Sequence, residues 1–394
     1  KDFISAIKIL KDKNMLPGIC GRVCPQESQC ERFCVLGKNT QPIAIGLLER
    51  FAADIQKKDR PSLLSSNKKK DASIAVIGSG PAGLTCAAEL AKNGYRATVF
   101  ESLHLPGGVL RYGIPEFRLP KDIVDEEIEF VKALGVEICT DMIIGKTLMI
   151  EDIRDMGYKA IFIGVGAGLP SFLGVPGENL LGVYSANEFL TRVNLMEAYK
   201  FPESDTPVHI GKRVNVIGGG NVALDAARCA LRLGGRVNIL YRRTENEMPA
   251  RKQEYENALE EGIVFHFLTQ PIRFIGDNDG YLQKIEIQKM ELGNPDDSGR
   301  RRPVPVPGSE MFIESETAIV AIGQKPNYLL ATGISDLRVT PSGIIVVDPE
   351  TCQTSVDDIF AGGDIARGAA TVINAMGDGK RAAASIIKYL ENKK

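Results

Sequence analysis

The sequence predicts an α/β fold in which a small helical domain precedes two domains built on parallel sheets. Two observations lead to this prediction. An apolar strand, a glycine-rich turn and an alanine-rich helix follow one another at residue 73 and again at residue 213, and this alternation is typical of parallel α/β units. Before them, the first 60 residues have a helical pattern and carry Cys20, Cys24, Cys30 and Cys34. At 394 residues the chain is long enough for two or three domains.

Composition and charge exclude several classes of function. With 44% hydrophobic and 25% charged residues, the chain has the composition of a soluble globular protein. A net charge of −2 gives no basic field for nucleic acid or an anionic membrane, and the apolar run Ala160–Leu169 is shorter than a membrane span. Clustered cysteines without an export signal indicate metal binding in a reducing compartment. We therefore expect a cytoplasmic protein with no nucleic-acid or membrane partner.

The first glycine turn has the full context of a dinucleotide site. The strand Ser73–Ile77 is followed by GSGPAG, whose glycines allow the backbone to approach a pyrophosphate at a helix N-terminus. A second strand, Arg96–Phe100, ends at Glu101, whose carboxylate is placed to accept hydrogen bonds from ribose hydroxyls. The sequence therefore predicts a Rossmann-like dinucleotide-binding domain. Its predicted binding residues are Gly78, Gly80, Pro81, Ala82, Gly83 and Glu101.

The second glycine turn differs from the first in the charge beside it. The strand Val214–Ile217 leads into GGGNVA, but the position that corresponds to Glu101 is Tyr241, and Arg242 and Arg243 follow it. Loss of the carboxylate removes the acceptor for a ribose 2′-hydroxyl, and two guanidinium groups supply donors for a 2′-phosphate. We therefore predict NADPH in preference to NADH, with a solvated basic corner as the alternative. The predicted binding residues are Gly218, Gly220, Asn221, Val222, Arg242, Arg243 and Arg251.

The four cysteines of the N-terminal segment have a spacing that favours an iron–sulfur site. Three residues separate Cys20 from Cys24 and Cys30 from Cys34, and five residues lie between the two pairs. Structural zinc sites usually have a longer spacer between their pairs, and no histidine lies nearby. Ligation of an iron–sulfur cluster by thiolates is therefore the better interpretation, and zinc is the alternative.

Longer motifs add a family resemblance. GSGPAG with Glu101, TAIVAIG (317–323) and IFAGGD (359–364) resemble the glutathione-reductase-like flavoproteins that have two dinucleotide-binding domains. The segment 107–121 (GGVLRYGIPEFRLPK), CGRVCP, and YRR with MPAR are similar to the glutamate synthase small (beta) subunit family, which includes the large subunit of NADH-dependent ferredoxin:NADP oxidoreductase. The resemblance implies FAD as a cofactor and Asp364 as the residue that binds its ribityl chain. It places Val109 and Arg118 on the flavin, and 321–323 at the nicotinamide nucleotide. The residues that it adds to the cofactor sites are Gly108, Val109, Arg118, Ala321, Gly323, Gly363 and Asp364. A helix expected to start near Ala370 or Thr371 would aim its positive end at the reduced flavin, which adds Thr371 and Val372.

The resemblance also implies a domain plan and a set of metal ligands. The plan has an incomplete iron–sulfur domain with its linker at 1–70, an FAD-binding domain in two parts at 71–195 and 323–394, and an inserted NADPH-binding domain at 196–322. Relatives hold two [4Fe–4S] clusters that share ligands with an upstream cysteine run, which this sequence lacks, so we expect an N-terminally truncated chain. Carried over by position, Cys24, Cys30 and Glu49 are ligands of one cluster and Cys34 of the other, whereas Cys20 is not a ligand. By position alone, Glu49 is instead an exposed carboxylate on a helix.

The expected function is electron transfer. NADPH reduces FAD by hydride transfer, and single electrons leave through [4Fe–4S] clusters to a partner, which is either the glutamate synthase large subunit or ferredoxin with a second flavoprotein subunit, in an oligomer. The four remaining cysteines have no near partner in the sequence, which speaks against a disulfide reductase. No catalytic side chain is expected, because the reacting atoms belong to the cofactors. The alternatives are the electron-bifurcating relative, a sulfide dehydrogenase-type relative, a flavin monooxygenase, and a docking subunit without cofactors.

Overall fold

The structure is a computed structural model that describes residues 2–56, 70–296, 299–327 and 329–393. The sequence predicts a solvated hinge at 57–71, and residues 57–69 of it lie outside the described residues. The chain divides into two compact units. Unit 1 comprises Lys1–Arg111, Glu116–Gly168 and Lys325–Lys394, and unit 2 comprises Tyr112–Pro115 and Leu169–Gln324.

Helices and strands alternate over most of the described chain, as the repeated sequence pattern predicts. The α-helices are α1 (Phe3–Lys13), α2 (Pro17–Val23), α3 (Ile45–Gln56), α4 (Pro81–Lys92), α5 (Val109–Tyr112), α6 (Lys121–Ala133), α7 (Ile150–Asp155), α8 (Ala186–Leu190), α9 (Asn221–Arg232), α10 (Lys252–Glu260), α11 (Asp364–Arg367) and α12 (Val372–Asn392). The strands are β1 (Ser73–Ile77), β2 (Arg96–Phe100), β3 (Glu137–Cys139), β4 (Ala160–Ile163), β5 (Leu169–Pro170), β6 (Val183–Ser185), β7 (Arg213–Ile217), β8 (Arg236–Tyr241), β9 (Val264–Phe267), β10 (Thr269–Gly276), β11 (Leu282–Pro295), β12 (Arg301–Pro305), β13 (Met311–Glu314), β14 (Thr317–Val320), β15 (Gln324–Lys325) and β16 (Ile359–Ala361).

Unit 1 is built on a parallel sheet with the strand order β16-β4-β1-β2-β3. The central strand β1 pairs with β2 and β4, so that Ala75 lies opposite both Thr98 and Ile161. Four of the five residues of β1 are buried, as its unbroken apolar sequence predicts, and α4 packs against both the sheet and α12. In parallel sheets, ligands bind at the carboxyl ends of the strands. Here those ends lead into Gly78 and Glu101.

The N-terminal helices belong to the same unit and are fixed to it by a buried ion pair. Lys11 on α1 pairs with Glu127 on α6, and both side chains are buried. The other oxygen of Glu127 accepts the backbone N–H of Gly18 at 2.8 Å, which fixes the start of α2. A carboxylate that accepts both bonds satisfies a buried charge that would otherwise be costly. This arrangement fixes the helix that carries Cys20 on the sheet domain of unit 1.

Unit 2 has a second parallel sheet, with the order β6-β14-β7-β8-β9, and an antiparallel sheet formed by β10, β11, β12 and β13. Most of unit 2 is formed by Leu169–Gln324, and β6, near the start of this range, pairs with β14 in the second parallel sheet. The central strand β7 pairs with β8 and β14. Its last residue, Ile217, is followed directly by the second glycine turn, as β1 is followed by the first. The repeated sequence pattern is therefore a repeated structure.

The stretch 293–308 is different from the surface loop that its prolines, glycines and arginines predict. β11 extends to Pro295 and β12 begins at Arg301, and Glu291 pairs with Val304 across them. Residues 293–295 and 301–305 therefore belong to the strands of a β-hairpin, and the prolines of β12 are tolerated because it is an edge strand. Within the described ranges, every helix falls short of the length or the apolar character needed to cross a bilayer.

Candidate functional site: two nucleotide-binding turns and a cysteine segment

The first glycine turn is tightly packed at Gly83 but has open space beside Gly80. Gly78 N–H donates to the carbonyl of Phe100 at 2.8 Å, which joins the ends of β1 and β2. A Cβ on Gly83 would collide with the carbonyl oxygen of Gly78, so only glycine allows this approach of helix and turn. A Cβ on Gly80, by contrast, would meet no atom within 4 Å. With α4 beginning directly after it at Pro81, this open side suits a pyrophosphate.

Glu101 is held in place by the turn that it faces. The residue is 5% exposed, and one of its carboxylate oxygens accepts the N–H of Ser79 at 2.9 Å and also the Ser79 hydroxyl. Its other oxygen accepts the N–H of Leu103 at 2.9 Å. The Ser79 hydroxyl oxygen in turn accepts the N–H of Gly107 at 2.8 Å. The carboxylate is thus fixed beside the turn, as a ribose-binding group requires, and it is held there by Ser79, which the motif spacing did not indicate.

The segment after Gly107 passes next to the first turn. A Cβ on Gly108 would lie 2.9 Å from the Cα of Gly80, so this segment and the glycine turn are in close contact. Val109 begins α5 and is 37% exposed, and Arg118 is half-buried. The structure therefore brings Gly108 and Val109 to the same turn as Glu101. The role of Arg118 at the flavin stays a prediction.

The motif IFAGGD lies at the end of β16, in the same sheet. Asp364 is half-buried, and one of its oxygens accepts the N–H of Ala370 at 3.2 Å. Burial raises the pKa of the Asp364 carboxyl to about 6. Thr371 precedes the first residue of α12, and its side chain makes no capping bond there, so the N–H groups at this helix start have no side-chain cap. Open space at Gly80, a fixed ribose acceptor and this helix start are features that fit an FAD molecule.

A buried aspartate on α12, Asp378, holds the IFAGGD motif in place through hydrogen bonds. Asp378 is 3% exposed, and its Oδ2 accepts the N–H of Gly363 at 2.9 Å and Nε of Arg367 at 2.7 Å. Arg381 also pairs with it. Two arginines and one backbone N–H make Asp378 the centre of a network that sets the backbone beside Asp364. Sequence motifs do not indicate this role of Asp378, because the residue lies in the middle of a long helix.

The second glycine turn repeats the first in unit 2. Gly218 N–H donates to the carbonyl of Leu240 at 3.0 Å, and a Cβ on Gly220 would meet no atom within 4 Å. Gly218 has a φ of +142°, and a Cβ on it would collide with the carbonyl oxygen of Ala321. The structure therefore brings the predicted residue Ala321 to the glycine turn, two residues before the exposed Gly323. Asn221 opens α9, and its side-chain oxygen accepts the N–H of Arg251 at 2.9 Å, while Val222 beside it is 41% exposed.

The two arginines after β8 have different surroundings. Arg242 is exposed and forms no hydrogen bond or ion pair within the described part of the chain. Loss of hydration, followed by the charges of Arg243 and Arg300, lowers the pKa of the Arg242 guanidinium. Arg243 is 4% exposed, and its guanidinium donates to Asp296 Oδ2 at 2.6 Å and to the carbonyl of Arg301 at 2.7 Å. Arg242 is therefore placed to bind an anion, whereas Arg243 would have to exchange partners to do so.

The cysteine segment does not form a closed metal site by itself. All eight cysteines are free; Cys20 and Cys24 are buried, Cys34 is half-buried and Cys30 is exposed. Among the residues that the structure describes, no three His, Cys, Asp or Glu side chains converge as metal ligands. The Sγ of Cys20 lies 3.5 Å from the Sδ of Met376 on α12. A cluster held by the predicted residues Cys24, Cys30 and Cys34 therefore needs further ligands or a rearrangement of this segment.

Glu49 is not the exposed carboxylate that its position alone suggests. It is half-buried on α3, and the side-chain amide of Asn14 donates to its Oε1 at 2.7 Å. Burial raises the pKa of the Glu49 carboxyl. A hydrogen bond with Cys24 and burial raise the pKa of the Cys20 thiol, burial raises that of the Cys30 thiol, and the charge of Glu49 adds to both increases. The side chain thus faces the cysteine segment, where the resemblance places it. That it binds a metal stays a prediction.

Comparison with known proteins agrees with this geometry. Residues 72–379 match the family described as pyridine nucleotide-disulphide oxidoreductase. The chain belongs to this family. Residues 1–61 match the domain described as dihydropyrimidine dehydrogenase domain II, 4Fe-4S cluster. The glutamate synthase [NADPH] small chain of Escherichia coli (strain K12) is 36% identical, over 98% of this chain and 83% of the relative. The family that the motifs predict is therefore confirmed.

One further relative and one solved structure are similar to this chain over most of its length. The NADP(+)-dependent formate dehydrogenase subunit beta of Moorella thermoacetica is 40% identical over 98% of this chain, but the chain spans only 56% of that subunit. The structure of Mycobacterium tuberculosis FprA in complex with NADPH superimposes with a TM-score of 0.68 at 21% identity, and covers 82% of this chain and 85% of that one. This likeness concerns the fold. The predicted fold class of two dinucleotide-binding domains after an iron–sulfur domain is confirmed.

The enzyme class and the cofactors are confirmed at the level of these families: an NADPH-dependent oxidoreductase, with FAD, NADPH and a 4Fe–4S cluster. The residues that hold each cofactor in this chain, and the domain boundaries, stay predictions. Their geometry separates them into two groups. The predicted residues of each glycine turn lie close together within their own unit. The predicted ligands of the cysteine segment, by contrast, do not converge within the described residues.

Proposed function

We propose that this chain is the NADPH-oxidising electron-transfer subunit of a larger enzyme, of the glutamate synthase small-subunit type. In the proposal, the first turn and Asp364 bind FAD, and the second turn and Arg242 bind NADPH. Hydride passes from NADPH to FAD, and single electrons then go through 4Fe–4S clusters to a partner subunit. FAD supplies the change from two-electron to one-electron chemistry, and the protein supplies binding and orientation.

One observation carries the proposal: two glycine turns of the same geometry have opposite charges beside them. The buried Glu101 at the first turn suits a ribose with free hydroxyls, and it would repel a 2′-phosphate. At the second turn the corresponding residue is Tyr241, whose hydroxyl donates to the carbonyl of Glu247 at 2.8 Å, and the exposed Arg242 follows. This difference supports FAD at the first turn and NADPH at the second.

The partner and the location belong to the proposal as well. The named relatives include subunits of glutamate synthase and of formate dehydrogenase, which supports a partner subunit that accepts the electrons. We place the enzyme in the cytoplasm, where reducing conditions keep its eight cysteines free. The large subunit of glutamate synthase is the partner that we favour, since the E. coli small chain is covered over 83% of its length. The electron-bifurcating, sulfide dehydrogenase-type and ferredoxin-linked relatives are the second candidates.

An anaerobic titration of the purified protein tests the proposal. NADPH is expected to bleach the absorbance of bound flavin at stoichiometric concentration, whereas NADH is expected to need a concentration at least about tenfold higher, because it lacks the phosphate that Arg242 binds. Equal bleaching by the two coenzymes would contradict the NADPH assignment. Purification without any flavin, from cells that supply it in excess, would contradict the flavoprotein assignment.

A further inference from the structure

The hairpin formed by β11 and β12 carries a second basic residue, Arg300, whose charge acts on Arg242. Its turn is closed by Asp296, whose N–H donates to the carbonyl of Arg300 at 2.7 Å and whose Oδ1 accepts the N–H of Arg300 at 3.3 Å. The carbonyl oxygen of Asp296 accepts the N–H of Gly299 at 2.8 Å. Residues 297 and 298 lie outside the described residues. The backbone of Arg300 is therefore fixed to Asp296 by two hydrogen bonds.

The same aspartate fixes the hairpin to the end of β8. Asp296 Oδ2 pairs with the buried Arg243 at 2.6 Å, and Nε of Arg243 donates to the carbonyl of Arg301, the first residue of β12, at 2.7 Å. One guanidinium thus binds a residue on each side of the hairpin turn, Asp296 directly after β11 and Arg301 at the start of β12. Because Arg243 is 4% exposed and its charge is compensated by Asp296, breaking this contact would leave a buried charge unpaired. We call these contacts of Arg243 the hairpin anchor.

The hairpin anchor determines which arginines surround the exposed Arg242. Arg300 is half-buried, and its charge and that of Arg243 add to the loss of hydration that lowers the pKa of the Arg242 guanidinium. Asp296 is the acidic group that offsets this repulsion, and it is already paired with Arg243. Like charges placed this close favour an anion between them. Arg302, two residues further along the same hairpin, is exposed.

We propose that Arg300 is a specificity-determining residue for the adenosine 2′-phosphate of NADPH, and that Asp296 and Arg243 are positioning residues that hold it beside Arg242. This inference rests on the proposed function and extends it. The sequence motif named the arginines after β8, but the hairpin residues lie more than fifty positions further along the chain. The ligand class is an adenine nucleotide with a phosphate on its 2′ oxygen.

Calorimetric binding of two small nucleotides to the whole chain tests the inference without any redox reaction. 2′,5′-ADP carries the 2′-phosphate, and 5′-AMP is the same molecule without it. Arg300→Ala is expected to weaken 2′,5′-ADP binding about tenfold and to change 5′-AMP binding less than about twofold, since one charge-assisted hydrogen bond is lost. Arg302→Ala removes the same charge from the same hairpin and is expected to leave both affinities unchanged. Arg300→Lys, which keeps the charge, is expected to recover part of the loss.

Asp296→Ala separates positioning from simple electrostatics. If Asp296 only adds negative charge near the site, its removal should tighten 2′,5′-ADP binding; if it holds Arg300 in place, its removal should weaken that binding. We expect weakening, with 5′-AMP binding retained as evidence that the turn is intact. Tighter binding would overturn the positioning role, and normal binding by Arg300→Ala or an equal loss in Arg302→Ala would overturn the role of Arg300. If the unaltered chain binds both nucleotides equally, NADPH selection itself fails and the inference fails with it.

Discussion

Replacement of Asp364 by Asn gives a prediction whose size follows from the structure. Burial raises the pKa of the Asp364 carboxyl from 3.8 to about 6 in the flavin-free chain. A carboxyl with a raised folded-state pKa contributes stability that is present below the unfolded value and is lost as pH rises through the folded value. A rise of about two pKa units, at 1.36 kcal/mol for each unit, corresponds to about 3 kcal/mol, and partial exposure reduces this to about 1–2 kcal/mol. Asp364→Asn should therefore stabilise the flavin-free protein by about that amount above pH 6 and leave its stability unchanged below pH about 4.

Denaturant unfolding of the flavin-free protein at several pH values measures this difference. Asp357→Asn, a change at an exposed aspartate on the loop before β16, is the matched control and should show no such dependence. Flavin affinity should respond in the opposite sense. The ribityl hydroxyls of FAD would donate to the carboxylate, so affinity should fall as pH drops below about 6 in the unaltered chain and should not depend on pH there in Asp364→Asn. A gain in stability that is equal at pH 4 and pH 8, or flavin binding whose pH dependence survives the substitution, would refute this reasoning.

Three further predictions concern the other parts of the site. Arg242→Ala should raise the Michaelis constant for NADPH by about ten- to hundredfold and that for NADH less than about twofold, measured with an artificial electron acceptor, because one exposed guanidinium supplies charge-assisted bonds to the phosphate. Asp378→Asn should weaken FAD binding about tenfold, measured by flavin fluorescence, because the backbone of Gly363 and Arg367 lose their charged partner, while 2′,5′-ADP binding should not change. Cys24→Ala should lower the iron and sulfide content of anaerobically purified protein, whereas Cys229→Ala, on the buried face of α9, should not.

Each of these predictions has a result that contradicts it. Equal increases of the two Michaelis constants in Arg242→Ala would show that this arginine acts on fold or on the shared part of the coenzyme. Loss of 2′,5′-ADP binding together with FAD in Asp378→Asn would show general unfolding instead of a local effect on the IFAGGD motif. Unchanged iron in Cys24→Ala, or the same loss in Cys229→Ala, would remove Cys24 from the ligand set.

The parts of the fold that depend on local pattern could be predicted from the sequence. β1 and β2 occupy the predicted residues Ser73–Ile77 and Arg96–Phe100. For β1 the reason is that an apolar run followed by glycine has few other ways to be buried in an α/β protein. Glu101 and the two glycine turns also follow from local spacing. Within each unit, the residues of the turn are close in sequence or are joined by the register of one sheet, and the structure brings those residues together.

The parts that depend on distant contacts could not be predicted. Ser79 was an unspecified position within a glycine motif, and only the structure shows it bound to Glu101. Asp296 lies directly after β11, and its carboxylate compensates the charge of Arg243, which is more than fifty positions away in the sequence. Such pairs depend on which hairpin packs on which strand, and periodicity does not contain this information. The ligand set of the cysteine segment has the same limit, because spacing cannot say whether Cys24 and Cys34 converge.

The central claim is that one chain holds two different nucleotides, FAD at the first turn and NADPH at the second. Flavin content and 2′,5′-ADP affinity, measured side by side in Glu101→Ala and Arg242→Ala, test it most directly. The account predicts complementary losses: Glu101→Ala loses flavin and keeps 2′,5′-ADP binding, and Arg242→Ala keeps flavin and loses 2′,5′-ADP binding. Loss of both ligands in each variant, or the reverse pattern, would contradict it.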